Sequence, residues 1–144
     1  MGYAERNTWA QVISSIIAAA VYAVVLIPRL RTQTAHEVQW VQPMLWTIVA
    51  SIVASIVLSI GIGIVAGMIN PDTEHRADLR DQEIDRFGNR IGQAFLIAGS
   101  LGALTLTMVR ADWFWIGNTL FAGFILFTVV GGIARLIAYR RGFQ

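Results

Sequence analysis

Four long apolar runs, divided by short polar stretches, set the pattern of this chain. The first runs from Ala10 to Ile27 and is closed by Pro28, and the second runs from Met44 to Ile69 and is closed by Asn70-Pro71. The third covers Ile91 to Val109 and the fourth Trp113 to Ala134. A bilayer core about 30 Å thick needs about 20 mostly apolar helical residues, each adding about 1.5 Å. In lipid each backbone N–H and C=O must be satisfied within its own segment, so the pattern predicts four transmembrane helices in one domain over 1–144. Ala18-Ala19-Ala20 imitates a leader cleavage site, but the apolar stretch continues past it and Glu5-Arg6 makes a poor positive leader. The first run is therefore expected to be a retained helix.

Only Arg110-Ala111-Asp112 joins the third and fourth spans, which predicts a tight antiparallel hairpin with an Arg110–Asp112 pair at its tip. The longer stretch from Pro28 to Pro43 is expected to lie along the membrane surface. Arg6, Arg76, Arg80, Arg86, Arg90, Arg135, Arg140 and Arg141 fall on one side of a four-span topology, against Arg29, Arg31 and Arg110 on the other. Cytoplasmic flanks collect Arg and Lys, so both termini and the central loop are expected in the cytoplasm. Trp9, Trp40, Trp46, Trp113, Trp115 and Tyr139 stand near the predicted boundaries, as amphipathic rings at headgroup depth do.

Within the second span Thr47, Ser51, Ser55, Ser59, Gly63 and Gly67 recur at every fourth residue. Small residues at that spacing allow close backbone approach, and hydroxyls can bond across helices. A four-residue step overshoots one turn by about 40°, so this is a slanting ridge and not a straight face. It suits packing against the other spans; a homodimer seam or a contact in a larger membrane complex is the alternative. Gly88 and Gly92, Ala98 and Gly102, Gly99 and Ala103, and Gly131-Gly132 mark further sites of close approach, with Gly88 and the Gly131-Gly132 pair also as places to bend.

Composition narrows the chemistry. The chain is 56% hydrophobic and 14% charged, with mean hydropathy +0.59, too little charge to cover a soluble domain. There is no cysteine, which removes disulfides, thiolate metal sites and cysteine nucleophiles. All eleven basic residues are Arg, without the aromatic interleaving of a nucleic-acid surface. No ionisable residue stands near the centre of a span, and no intramembrane His pair is available for haem. The acidic residue within the first span that small multidrug exporters need is missing. So is the Glu, Arg and Asn set that membrane glutathione-type transferases carry within a span. No nucleophile–base pair stands out, so no enzyme activity, cofactor or metal is expected.

Ten of the twenty charges sit between Asp72 and Arg90. Asp72 or Thr73 can cap a helix that continues into the third span as a cytoplasmic extension. At 100° per residue Glu74, Asp78, Asp81 and Asp85 form an acidic stripe, opposite Arg76, Arg80 and Arg90 among Ile84, Phe87 and Ile91. The stripe is the candidate partner-binding surface, although pairing with Arg140, Arg141 or Arg6 would account for it as well. Arg76, Arg80, Arg90, Arg135, Arg140 and Arg141 are the candidate lipid-headgroup contacts, with Arg135 snorkelling out of the last span. A divalent-metal site using His75 has no loop to frame it.

The stretch DLRDQEIDRFGNRIGQAFL, the ending IAYRRGF, the opening YAERNTWA and the run PMLWTIVASIVASIV resemble an uncharacterised family of small four-span actinobacterial membrane proteins. That resemblance implies a plasma-membrane location and a four-helix fold, and it brings no catalytic residues. The expectation is an all-α integral membrane protein, a four-helix transmembrane bundle. It would serve as a non-enzymatic accessory or regulatory subunit. The alternative is a small oligomeric transporter or channel, its path lined by Ser51, Ser55, Ser59 and Gly63.

Overall fold

The computed structural model describes residues 3–69 and 79–141. They form four α-helices: α1 Tyr3–Thr32, α2 Val41–Ile69, α3 Leu79–Met108 and α4 Trp113–Arg141. Each is long and apolar enough to cross a membrane. At about 1.5 Å per residue these helices reach beyond a hydrocarbon core of about 30 Å, so their polar ends project from it.

The helices run past the apolar runs at several ends, α1 from Tyr3 to Thr32, α2 from Val41 and α4 to Arg141, while α3 is continuous with its charged extension as expected. α1 does not stop at Pro28 but continues through it to Thr32. Proline removes one N–H, which frees the carbonyl one turn earlier, at Val24. Pro28 and Val24 both lie on the exposed side, where no neighbouring helix clashes with the ring. The Thr32 hydroxyl then donates to the carbonyls of Pro28 and Arg29 and closes the last turn. α3 is unbroken at Gly88, so its charged first turns from Leu79 belong to one helix with the apolar run.

The connections are built from specific caps. Thr34 donates to Glu37 Oε2 from both its backbone N–H, at 3.3 Å, and its hydroxyl, at 3.0 Å. Beyond that turn Val38 tucks inward and is buried. At the α3–α4 turn Ala111 N–H donates to the Leu106 carbonyl and Arg110 N–H to the Thr107 carbonyl, a Schellman arrangement. It puts Arg110 at φ 55°, a left-handed conformation that costs an L-residue about 1–2 kcal/mol. Asp112 lies 3.5 Å from His36 Nδ1, so the tip of this hairpin pairs with the 33–40 connection and not with Arg110.

The helices pack in the order α2–α1–α4–α3, with α3 and α4 in the most extensive contact. α1 and α4 are therefore central, and α2 and α3 lie at the edges. The ridge on α2 meets α1 and does not distribute itself over all three other spans. At the connection end Tyr22, Leu26, Val38, Met44 and Phe114 form a buried cluster. The Tyr22 hydroxyl donates to Asn118 Oδ1 at 2.7 Å, and Trp40 lies against Gly117. At the end that carries the termini Thr8, Val12, Ile84, Ala134, Leu136 and Ala138 are buried.

α3 and α4 approach through glycine. A Cβ on Gly99 would stand 2.7 Å from the Gly123 Cα, and one on Gly92 would stand 2.6 Å from the Phe127 carbonyl oxygen. Of the adjacent pair, Gly131 admits the α3 backbone at Gly88, while Gly132 admits the Val12 side chain from α1. Two neighbouring glycines thus serve two different neighbours of the same helix.

Candidate functional site

The polar side chains at the termini end of α3 and α4 form the most developed group. Four-residue spacing places Asp81, Asp85 and Asn89 along one face of α3, and Arg135 and Tyr139 along one face of α4. The tight turn at Arg110 brings these faces together. Because Gly88 has no side chain, the Arg135 stem lies directly on the α3 backbone. Its guanidinium donates from Nη2 to Asn89 Oδ1 at 3.0 Å and stands 3.7 Å from Asp85 Oδ1 through Nη1. The Arg135 side chain is 14% exposed and that of Asp85 58%.

Arg135 Nε is buried without an acceptor among the described residues. The Tyr139 hydroxyl is also buried, near Asp81 and Asp85, with no hydrogen-bond partner among the described residues. On the α1 side the Arg140 guanidinium stands 5.8 Å from the Trp9 ring centroid, a cation–π contact that ties the two chain ends together.

Of the acidic stripe, Asp81 and Asp85 are thus directed at α4, and Asp85 is engaged by Arg135. Arg135, read as a headgroup contact, turns its guanidinium onto α3. Glu74, Asp78, Arg76 and His75 lie outside the described residues. Arg141 is the last residue of α4. The side of α3 turned away from α4 exposes Arg80, Glu83, Arg86 and Arg90. Asn89 went unread in the sequence and Tyr139 was read only as a boundary aromatic, although each continues a four-residue spacing, Asn89 from Asp85 and Tyr139 from Arg135.

Among the packing residues Thr47, Ser51, Ser55, Ser59 and Gly63 are all half-buried, between exposed neighbours such as Ile52, Ile56 and Ile60. Gly67 belongs to the last turns of α2. The Ser59 hydroxyl donates to Asn7 Oδ1 on α1 at 3.1 Å, while Thr47 and Ser51 line a groove between α1 and α2. Among the described residues no three His, Asp or Glu side chains converge as a metal site.

This architecture is that of a multi-pass membrane protein with four helices of membrane-crossing length. Neither protein-family models nor curated proteins nor solved structures give a match to the chain.

Proposed function

We propose that this protein is a non-enzymatic accessory or regulatory subunit of the plasma membrane, with both termini cytoplasmic. It acts through helix packing in the bilayer and through the charged first turns of α3. One observation carries this reading: the side of α3 facing away from α4 holds Arg80, Glu83, Arg86 and Arg90 in the open. A helix that only anchors has no need of four charges there, whereas a docking face gains specificity and encounter rate from them. Arg135 meanwhile binds Asn89 and Asp85 and fixes α3 on α4. The exposed set is thus held on a braced helix.

A solute path along Ser51, Ser55, Ser59 and Gly63 has less support, since that ridge is engaged with α1 at Asn7 and along the α1–α2 groove. The test is native mass spectrometry on protein extracted gently from its own membrane at its natural level. A second polypeptide at fixed stoichiometry is expected. Arg86→Glu with Arg90→Glu should release it while leaving the helical content unchanged. Extraction as a homo-oligomer alone, or undiminished capture by the double variant, would overturn the proposal.

A further inference from the structure

Between α1 and α2 lies a half-open groove of about 520 Å³, distinct from the charged face of α3. Its floor is made of small side chains from both helices: Ala10, Ser14 and Ala18 on α1, and Ser51 and Ala54 on α2. Small residues opposite one another ordinarily let helices close up. Here the contact between α1 and α2 is much less extensive than that between α3 and α4. Ile17 and Leu58 wall the groove, and near its N-terminal end Ser59 and Asn7 join the helices.

Length and width decide what fits. From Ala10 to Val21 the groove extends about 16 Å along α1, roughly half of a hydrocarbon core of about 30 Å. That is the depth of one leaflet. A helix about 10–12 Å across would occupy well over roughly 1,000 Å³ along that length, so it could ride over the groove but not enter it. A single hydrocarbon chain can enter. Just past the N-terminal end stands Arg6, exposed and at heptad spacing with Ala10, Ile13 and Ile17, hence on the same face of α1. It lies about 6 Å beyond Ala10, where a bilayer passes from chains to phosphates. Glu5, the nearest acid in sequence, projects about 100° away around the helix.

We propose that this groove is a binding site for one anionic phospholipid of the leaflet at the N-terminal end. An acyl chain lies along the small-residue floor, and the headgroup phosphate pairs with Arg6. The guanidinium suits that role because its N–H groups match phosphate oxygens in a bidentate pair.

The experiment uses the full chain in mild detergent, with phosphatidylglycerol and phosphatidylcholine supplied in equal amounts and bound lipid read by native mass spectrometry. The wild type should retain one phosphatidylglycerol in preference to phosphatidylcholine. Arg6→Gln should reduce that preference about fivefold, the factor for one Arg at an anionic surface. Ala54→Phe and, from the opposite wall, Ala18→Phe should each lower lipid retention at least tenfold. Ile56→Phe, on the far side of α2, should leave retention unchanged, and circular dichroism with monodisperse elution shows which variants are folded. Equal retention of the two lipids by the wild type would overturn the assignment. So would undiminished retention in folded Ala54→Phe or Ala18→Phe, or a lipid-free dimer that these substitutions dissociate.

Discussion

At the residue scale, what decides is often whether a side chain has room. Gly99 and Gly61 are both helical glycines in apolar runs, and they face opposite demands. A Cβ on Gly99 meets the Gly123 backbone at 2.7 Å, where nothing can swing aside, whereas one on Gly61 meets open space. Gly99→Ala should therefore overpack the hairpin and cost about 1–3 kcal/mol. Gly61→Ala should stabilise α2 by about 0.5–1 kcal/mol through reduced backbone entropy of the unfolded chain. Thermal unfolding in detergent should show Tm moving in opposite directions for the two variants. Equal shifts would refute the close approach of α3 to α4.

Arg135 allows a finer comparison. Its partner Asn89 accepts at 3.0 Å, while Asp85 stands at 3.7 Å and is more than half exposed. Charge alone would rank Asp85 first. Both partners are exposed, so distance ranks Asn89 first: at 3.0 Å it makes a hydrogen bond, whereas exposed ion pairs give about 0.2–1 kcal/mol. Asn89→Ala is thus expected to lower Tm more than Asp85→Asn, and double-mutant cycles with Arg135→Met should give the larger coupling to Asn89. The opposite ranking would show the ion pair to be the main tie.

At the scale of the element, the runs of the sequence became helices with longer ends than the apolar pattern marked. Periodicity counts apolar residues, but α1 begins with Tyr3, Glu5 and Arg6 and ends beyond Pro28, where caps and not hydrophobicity decide. The register of α3 against α4 was more legible than it looked. With so short a turn, residues about equally far from Ala111 lie level with one another, as Gly99 and Gly123 do. By that count Arg135 is level with Phe87 and Tyr139 with Glu83, within two residues of Asp85 and Asp81, so loop length gives the level of these carboxylates along the hairpin and not the face they present. The apolar pattern marks the fourth span only as far as Ala134, short of Arg135 and Tyr139. α4 in fact carries Arg135 and Tyr139 alongside the α3 extension to Arg141.

For the whole molecule, the number of helices and the α3–α4 hairpin were plain in the sequence, and the order α2–α1–α4 was not. In water a buried helix face is more apolar than an exposed one. In lipid both are apolar, so no stripe tells protein from bilayer. α2 illustrates this: Val49, Ile52, Val53, Ile56 and Val57 are exposed, yet nothing in their composition separates them from core residues. Only the small residues carry a signal, and it does not say which helix they meet; Ser59 donates to Asn7 of α1. Orientation also belongs to this scale. With the connections 33–40 and 109–112 at one end, joined by His36 and Asp112, the charge asymmetry makes a definite prediction. In a chain free of native cysteine, His36→Cys and Arg110→Cys should react with an impermeant maleimide on intact cells. Glu83→Cys should react only after permeabilisation, and the reverse pattern would invert the topology.

The order α2–α1–α4–α3 bears on how such a chain is made. A ribosome delivers α1 first and α4 last, yet these are the two helices that join one hairpin to the other. Until α4 has followed, the early hairpin must therefore stand in the bilayer with one flank of α1 wetted by lipid alone. Final assembly is then a lateral docking of two finished halves, guided by Val12 against Gly132 and by Trp9 beneath Arg140. A lesion at either contact would leave both hairpins inserted but unjoined, a defect of maturation that measurements of membrane insertion would miss.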